Sequence, residues 1–138
     1  MGKILGIDYG EKRIGLAISS ADQRFVFPHS TLNNDAPSDR IGEIKNICIE
    51  EDVEKIVVGL PLDQEGKMGI AAAKVTRWAE ELASASGRDV VFEDERYSTV
   101  MAGKFQRQGG RSVKEARTSI DQTAAAVILE TYIDRHHG

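Results

Sequence analysis

Residues 3–20, KILGIDYGEKRIGLAISS, determine the fold that we predict for this chain. Two apolar segments rich in β-branched residues flank a short polar connection, a pattern typical of two antiparallel strands joined by a tight turn. Gly10 supplies a residue in that turn that tolerates a positive φ. Asp8 interrupts the first apolar segment at its end. A carboxylate there either opens the turn or, if buried, needs a hydrogen-bond donor, a cation or a metal.

Three further segments have the composition of β-strands. Residues 24–27, RFVF, are followed by Pro28, and we predict that the proline ends this strand. Residues 55–60 and 90–92 are short continuous apolar runs, which are typical of strands buried on both faces of a sheet. The first three strands follow one another through short turns and are therefore predicted to pair antiparallel.

Helical periodicity separates and follows the last two strands. Apolar residues recur every three or four positions after Ser38, which we expect to cap the first helix, and before Gly87, which we expect to end the second. A capping box of Ser119 and Gln122 predicts the start of the last helix. Strands reached through helices pair in parallel with their neighbours. We therefore predict an α/β fold: a mixed five-stranded sheet, with three antiparallel strands followed by two parallel ones, and helices on both faces.

Length and composition favour one globular domain that spans residues 1–138. The chain is 41% hydrophobic and 29% charged, which argues against a disordered protein. It contains no apolar run long enough to cross a bilayer, and its first residues lack the pattern of a signal peptide. Cys48 is the only cysteine, so no internal disulfide can form, and we expect a cytoplasmic protein.

Charge is distributed unevenly along the chain. The formal net charge is −4, which by itself argues against a nucleic-acid partner. Residues 35–65 contain nine acidic and three basic residues, a net charge of −6, whereas residues 96–117 contain six basic residues and one acidic residue, a net charge of +5. This asymmetry permits a basic patch that contacts nucleic acid, and a solvated helix face beside a charged loop is the alternative explanation.

Three acidic positions lie where carboxylates from different elements could meet at one edge of the sheet. Asp8 ends the first strand, and Glu95 or its neighbour Asp94 ends the last one. Asp121 lies at the second position of the last predicted helix and heads its apolar stripe, although an acid in a first turn also simply favours the helix dipole. Three such carboxylates form a hard oxygen site of the kind that Mg²⁺ or Mn²⁺ occupies. In enzymes that cleave phosphodiesters, such sites hold two ions about 4 Å apart.

Four segments of the sequence resemble the YqgF family of small bacterial RuvC-like proteins. They are GIDYGEKRIGLAIS at 6–19, VVGLPLDQEGKMG at 57–69, FEDERYST at 92–99 and DQTAAAVILETY at 121–132, and they span nearly the whole chain. The resemblance implies an RNase H fold. It also implies a divalent-metal-dependent nuclease that matures the 5′ end of pre-16S ribosomal RNA, or else a homologue of the Holliday junction resolvases.

The resemblance also assigns the site. The family's acidic positions correspond to Asp8, Glu95 and Asp121, which implies that these three residues hold the metal and catalyse the reaction, with Asp94 as an alternative ligand. Two departures argue against cleavage of DNA junctions. The strand at 56–60 contains no acid, where the junction resolvases have a glutamate. The last helix offers only Asp121, where those enzymes have two acids one turn apart.

Basic and hydroxyl side chains beside the expected acidic site are candidates for nucleic-acid binding. Arg96, Ser98 and Thr99 directly follow the second acid, where an arginine and a helix N-terminus suit a phosphate, although the two hydroxyls could simply cap a helix. A basic loop predicted at 108–117 either closes over a phosphate backbone or serves only as a solvated tether. The full set of candidates is Lys12, Arg13, Arg96, Ser98, Thr99, Arg107, Arg111, Lys114 and Arg117.

These patterns lead to three functional hypotheses. The first is a cytoplasmic nuclease that requires Mg²⁺ or Mn²⁺ and acts on RNA, with pre-rRNA as the expected substrate. The second is a nucleic-acid-binding factor in transcription or ribosome assembly with little catalysis of its own. The third is a nuclease that resolves structured DNA as a dimer. The sequence is compatible with a monomer or a weak homodimer and predicts no contact with a membrane.

Overall fold

The computed structural model describes the backbone of residues 2–95 and 113–137, and the side chains of residues 2–95 and 122–136. The chain forms five strands and three helices in the parts that are described. In chain order they are β1 (Lys3–Tyr9), β2 (Arg13–Ser19), β3 (Val26–Asn33), α1 (Pro37–Glu50), β4 (Val53–Leu60), α2 (Ile70–Ser86), β5 (Asp89–Asp94) and α3 (Val113–His137).

The five strands form one mixed sheet in the order β3-β2-β1-β4-β5. β1 pairs antiparallel with β2, and β2 pairs antiparallel with β3, whereas β4 lies parallel to both β1 and β5. This confirms the predicted arrangement of three antiparallel and two parallel strands. The carboxyl ends of β1, β4 and β5 lie at the same edge of the sheet, because Ile7 pairs with Val58 and Leu60 pairs with Asp94.

Helices cover both faces of the sheet and divide its core into two clusters. α1 and α2 pack on one face, which we call the α1/α2 face, and α3 packs on the other, the α3 face. Side chains alternate along β1, so that Leu5 and Ile7 join the α1/α2 cluster and Ile4 joins the α3 cluster. Asp8 shares the parity of Ile4 and therefore lies on the α3 face.

The prediction that Pro28 ends the third strand is wrong. β3 continues through it to Asn33, and the ladder skips one residue, since Leu16 pairs with Ser30 and Ala17 pairs with Pro28. β3 lies at the edge of the sheet, where a residue without a backbone N–H is tolerated. The intervening residue, His29, forms a β-bulge that absorbs the change in register.

Helix ends agree with prediction at one position and differ at two. Gly87 ends α2 with a left-handed φ of 69°, as predicted, and its N–H donates to the carbonyl of Ala83. α1 begins at Pro37 rather than after Ser38, because proline suits the first position of a helix. α3 begins at Val113, so Ser119 lies inside the helix and does not cap it.

The early start of α3 corrects the predicted basic loop. Residues 113–117 are helical, so that Lys114 and Arg117 belong to α3 and not to a connection. The other residues of that predicted loop, like the short helix expected after Glu95, lie outside the described part of the chain. None of the helices in that part is long and apolar enough to cross a membrane.

Candidate active site

The structure brings Asp8 and Glu95 together at the carboxyl edge of the sheet. Asp8 is the penultimate residue of β1, and Glu95 directly follows β5. Their carboxyl groups are hydrogen-bonded to each other. Two ionised carboxylates are both acceptors and cannot form such a bond, so this contact favours a proton on one of the two carboxyl groups. The strand ends that sequence analysis expected to converge therefore do converge.

The environment of Glu95 favours its protonated form. Burial raises the pKa of Glu95 to about 8, and the hydrogen bond to Asp8 and the negative charges of Asp8 and Asp94 act in the same direction. Glu95 is therefore mostly neutral at pH 7 when no cation is present. A divalent cation between the two carboxyl groups would take the place of the proton and stabilise both carboxylates.

Gly59 in β4 provides the space that the Glu95 side chain occupies. A Cβ atom at Gly59 would lie 2.6 Å from Oε1 and 2.8 Å from Cγ of Glu95. Sequence analysis noted that this strand contains no acid. The structure shows that the carboxyl group of Glu95, which follows the end of β5, nevertheless lies over this strand.

Strand alternation separates Glu95 from its neighbour Asp94. Val91 belongs to the α3 cluster, and the buried Glu93 accepts a 2.7 Å hydrogen bond from Nη1 of Arg135 in α3. Glu95 continues this parity and meets Gly59 on the α3 face, whereas Asp94 takes the alternate position. Of the two adjacent acids, Glu95 is the one that contacts Asp8.

Asp121 lies in the part of α3 that extends toward the same edge. Tyr132 accepts a hydrogen bond from Lys55 near the start of β4, whereas Ile128, one turn earlier, contacts Gly59 near the end of that strand. α3 therefore runs antiparallel to β4, and residues before Ile128 lie progressively closer to the carboxyl edge. Asp121 precedes Ile128 by seven residues, or about two turns. The structure thus places its backbone on the side of Asp8, while its side chain is outside the described set.

The predicted position of Asp121 in its helix is wrong. α3 begins at Val113, so that Asp121 is the ninth residue of the helix and not the second. An acid this far from the N-terminus gains little from the helix dipole, which acts within the first turn. The alternative explanation offered for this residue therefore does not apply. Among the side chains that are described, no three Asp, Glu, His or Cys residues lie close enough to hold a metal, and Asp121 was outside that set.

The β1–β2 turn next to Asp8 carries two of the nucleic-acid candidates. Lys12 is exposed and Arg13 is half-buried. Asn34 holds this turn: its Nδ2 donates to the carbonyl of Gly10 at 2.7 Å, and its backbone N–H donates to the carbonyl of Lys12 at 2.8 Å. Only 6% of Asn34 is exposed. The turn that follows Asp8 is therefore fixed to the start of α1.

The remaining nucleic-acid candidates divide into two groups. Lys114 and Arg117 lie on the helical backbone of α3, and their side chains are not described. The others lie outside the described residues: Arg96, Ser98, Thr99, Arg107 and Arg111.

Two residues of the site were missed by sequence analysis. Gly59 carried a signal, because a glycine inside an apolar strand indicates that another group approaches the backbone closely. Asn34 carried none, because asparagine is common in turns and only tertiary contacts show that its side chain is buried.

Comparison with known proteins yields relatives that match nearly the whole of this chain. The sequence profile of the RuvX family, described as Holliday junction resolvase, matches residues 2–135, which confirms the predicted resemblance, since YqgF and RuvX denote one family. A protein of Chloroflexus aurantiacus named "Putative pre-16S rRNA nuclease" is 41% identical over 131 residues, covering 95% of this chain and 86% of that protein. A protein of the same name from Lactococcus lactis is 36% identical over 136 residues, covering 97% of this chain and 95% of that protein.

A solved structure supports the fold independently. The RuvC structure of Thermus thermophilus aligns with a TM-score of 0.58 and covers 98% of this chain and 96% of that one. The two sequences are only 12% identical, so this likeness establishes the fold alone. The fold is the RNase H-like fold that the sequence predicted.

Proposed function

The chain belongs to the RuvX family, and we propose that it is a divalent-metal-dependent nuclease that hydrolyses phosphodiester bonds in the 5′ region of pre-16S ribosomal RNA. The names of its relatives in Chloroflexus aurantiacus and Lactococcus lactis support this substrate. The RNase H-like sheet provides the framework, with acidic residues at the carboxyl edge of β1 and β5.

One observation carries the proposal: the hydrogen-bonded carboxyl groups of Asp8 and Glu95. Two acids in contact raise each other's cost of ionisation, and partial burial adds to it. Such a pair is unfavourable for stability, and functional sites are where groups with strongly shifted pKa values concentrate. An aspartate that merely opens the turn would explain Asp8 but not the second acid that reaches it from the end of another strand.

The donor set fits a hard divalent cation. Carboxylate oxygens are the ligands that Mg²⁺ and Mn²⁺ prefer, and a cation would favour the ionised form of Glu95, whose pKa is raised by burial and by the neighbouring acids. We propose that Asp8 and Glu95 hold the ion and that Asp121 is the third ligand. When bound, Mg²⁺ or Mn²⁺ would supply a Lewis acid that activates water and stabilises the leaving oxygen of the phosphodiester.

The chain's own residues prepare the site for a phosphate. Lys12 is exposed in the turn after Asp8, where its charge attracts the nucleic-acid backbone without reading its sequence. Asn34 fixes that turn relative to α1. We propose that Lys12 and Arg13 orient the scissile strand over the carboxylates, and that the basic residues between 96 and 117 add affinity for the nucleic-acid backbone.

The decisive experiment is a cleavage assay with the purified protein. It combines pre-16S ribosomal RNA or a four-way DNA junction with Mg²⁺, Mn²⁺ or a chelator, and it compares the wild type with Asp8→Asn. We expect metal-dependent cleavage of the RNA that Asp8→Asn abolishes. Cleavage of the junction alone would assign the activity that the family description names. RNA binding without cleavage by the wild type would refute the nuclease and leave the binding factor.

A further inference from the structure

Two side chains from different elements converge on the backbone of Gly59. A Cβ atom at this position would lie 2.6 Å from Oε1 and 2.8 Å from Cγ of Glu95, and 2.5 Å from Cδ1 of Ile128 in α3. Carbon atoms that are not bonded rarely approach closer than about 3.5 Å. On the side of β4 that faces α3, atoms of Glu95 and Ile128 thus occupy the space where a side chain at Gly59 would lie.

The backbone conformation of Gly59 does not itself require glycine. The glycines with a positive φ in the described chain are Gly66 and Gly87, and Gly59 is not among them. It lies near the end of a regular strand, paired with Glu93 of β5. Glycine weakens the interior of a strand because it loses more conformational freedom on folding than other residues. The requirement at this position is therefore for space.

We propose that Gly59 is a positioning residue for Glu95: the missing side chain forms the seat that holds the Glu95 carboxyl group against Asp8. The role in catalysis rests on the proposed function, whereas the steric role does not. The crowded atoms of Glu95 belong to a flexible side chain that can rotate away, and so does Cδ1 of Ile128. An added methyl group would thus cost little folding stability and would act chiefly by displacing the carboxyl group.

The test separates the contact with Glu95 from the contact with the helix. Ile128→Val removes Cδ1 and with it the 2.5 Å approach, so that in this background the atoms nearest to a Cβ added at Gly59 are those of Glu95. Ile128→Val alone is the matched control. Three properties are measured for both proteins: Mn²⁺ affinity by calorimetry without nucleic acid, the midpoint of thermal unfolding, and kcat and KM for cleavage of pre-16S ribosomal RNA.

We expect Gly59→Ala/Ile128→Val to remain folded and to bind Mn²⁺ at least about tenfold more weakly than Ile128→Val, the effect typical of losing the support of a metal ligand. We expect kcat to fall by a similar factor while KM changes less than about twofold, because the substrate-binding surface is untouched and a misplaced ligand acts in the transition state. Equal Mn²⁺ affinity in the two proteins would overturn the proposal.

A second set of variants tests the seat without metal or activity. In Glu95→Ala/Ile128→Val the three atoms nearest to a Cβ added at Gly59 are absent, and Gly59→Ala is expected to raise the unfolding midpoint because alanine suits a strand better than glycine. With Glu95 present, the same substitution is expected to lower the midpoint or leave it unchanged. An equal shift in both backgrounds would overturn the steric role. Because this comparison needs no cleavage, it stands even if the wild type proves not to be a nuclease.

Discussion

The two faces of the sheet are built differently. The α1/α2 face is covered by large apolar side chains such as Leu5, Ile56 and Leu82, which are completely buried. On the α3 face, β1 carries Gly6 and Asp8, and β4 carries Gly59. The glycines let α3 and Glu95 approach the sheet closely, and the acids then lie beneath the helix. Both faces bury an apolar cluster, but only the α3 face also leaves space beside its core for the acidic groups, at a cost in packing.

The largest expected effect comes from a substitution at the acidic edge of the α3 face. Asp8→Asn keeps the shape of the side chain and loses the charge that holds a cation. Loss of several kcal/mol of transition-state stabilisation corresponds to a fall in cleavage rate of about a thousandfold. The metal-free variant should unfold at the same temperature or slightly higher, because repulsion between the acids is relieved. Single-turnover cleavage and thermal unfolding measure both, and full activity in a nuclease-free preparation would contradict a role for Asp8.

A substitution in the core of the α1/α2 face should instead lower the stability and leave the activity nearly unchanged. Ile56→Ala opens a cavity in the completely buried α1/α2 core and is expected to reduce the free energy of unfolding by about 3 kcal/mol. Cleavage per folded molecule should change little at a temperature where the variant is folded. Urea unfolding and activity measured on the same sample test this contrast. A loss of activity without a loss of stability would show that the two faces are not separate in their roles.

A smaller effect is expected from the pair of adjacent acids at the end of β5. Glu95→Gln removes the carboxylate that meets Asp8 and should lower cleavage about a hundredfold, whereas Asp94→Asn, at the alternate position of the strand, should lower it less than about tenfold. Parallel measurement of kcat and Mn²⁺ affinity distinguishes the two variants. If Asp94→Asn is the more damaging change, the ligand is Asp94 and the hydrogen bond to Asp8 is incidental.

The most gradual effect concerns the stability of the metal-free protein as a function of pH. The pKa of Glu95 is about 8 in the folded chain and about 4.5 for an ordinary glutamate, so the folded state keeps a proton that the unfolded state has lost between these values. Stability should therefore fall as pH rises from about 4.5 to 8, by at most about 1.4 kcal/mol per pH unit. Glu95→Gln should remove this decline. The measurement is urea unfolding at several pH values with a chelator present.

Excess Mg²⁺ provides the complementary condition. A bound ion would favour the ionised form of Glu95, so that the decline in stability with rising pH should become shallower in the wild type, whereas Mg²⁺ should not alter the pH profile of Glu95→Gln. Glu130, whose pKa is also raised by burial and by Asp134, contributes equally to both proteins and cancels in their difference. Identical pH profiles for the two proteins would show that Glu95 is ionised at neutral pH without metal.

The sequence predicted most of the fold because the relevant signals were local. Apolar runs predicted the strands. Short turns between strands predicted antiparallel pairs, and connections through a helix predicted parallel pairs. The errors occurred where tertiary structure overrides a local preference. Pro28 usually ends a strand, but the sheet edge tolerates it. Ser119 usually caps a helix, yet the chain before it is already helical.

The site was predictable only in part. Asp8 stood out because an acid at the end of a buried strand is costly. The choice between Asp94 and Glu95 depended on which of these adjacent residues points to the α3 face. The apolar residues of β5 did not show this in the sequence. The seat at Gly59 required contact between residues 36 positions apart, and that contact has no trace in a single sequence beyond the glycine itself.

The bulge and the proline of β3 have a consequence for the protein at high concentration. An edge strand exposes unpaired N–H and C=O groups that can template the addition of a strand from another molecule. Pro28 removes one of these donors, and the extra residue His29 breaks the regular spacing of the rest. Phe25 and Phe27 are exposed at the same edge and would otherwise favour the addition of a strand from another molecule. The irregular backbone of β3 thus protects the apolar edge against aggregation.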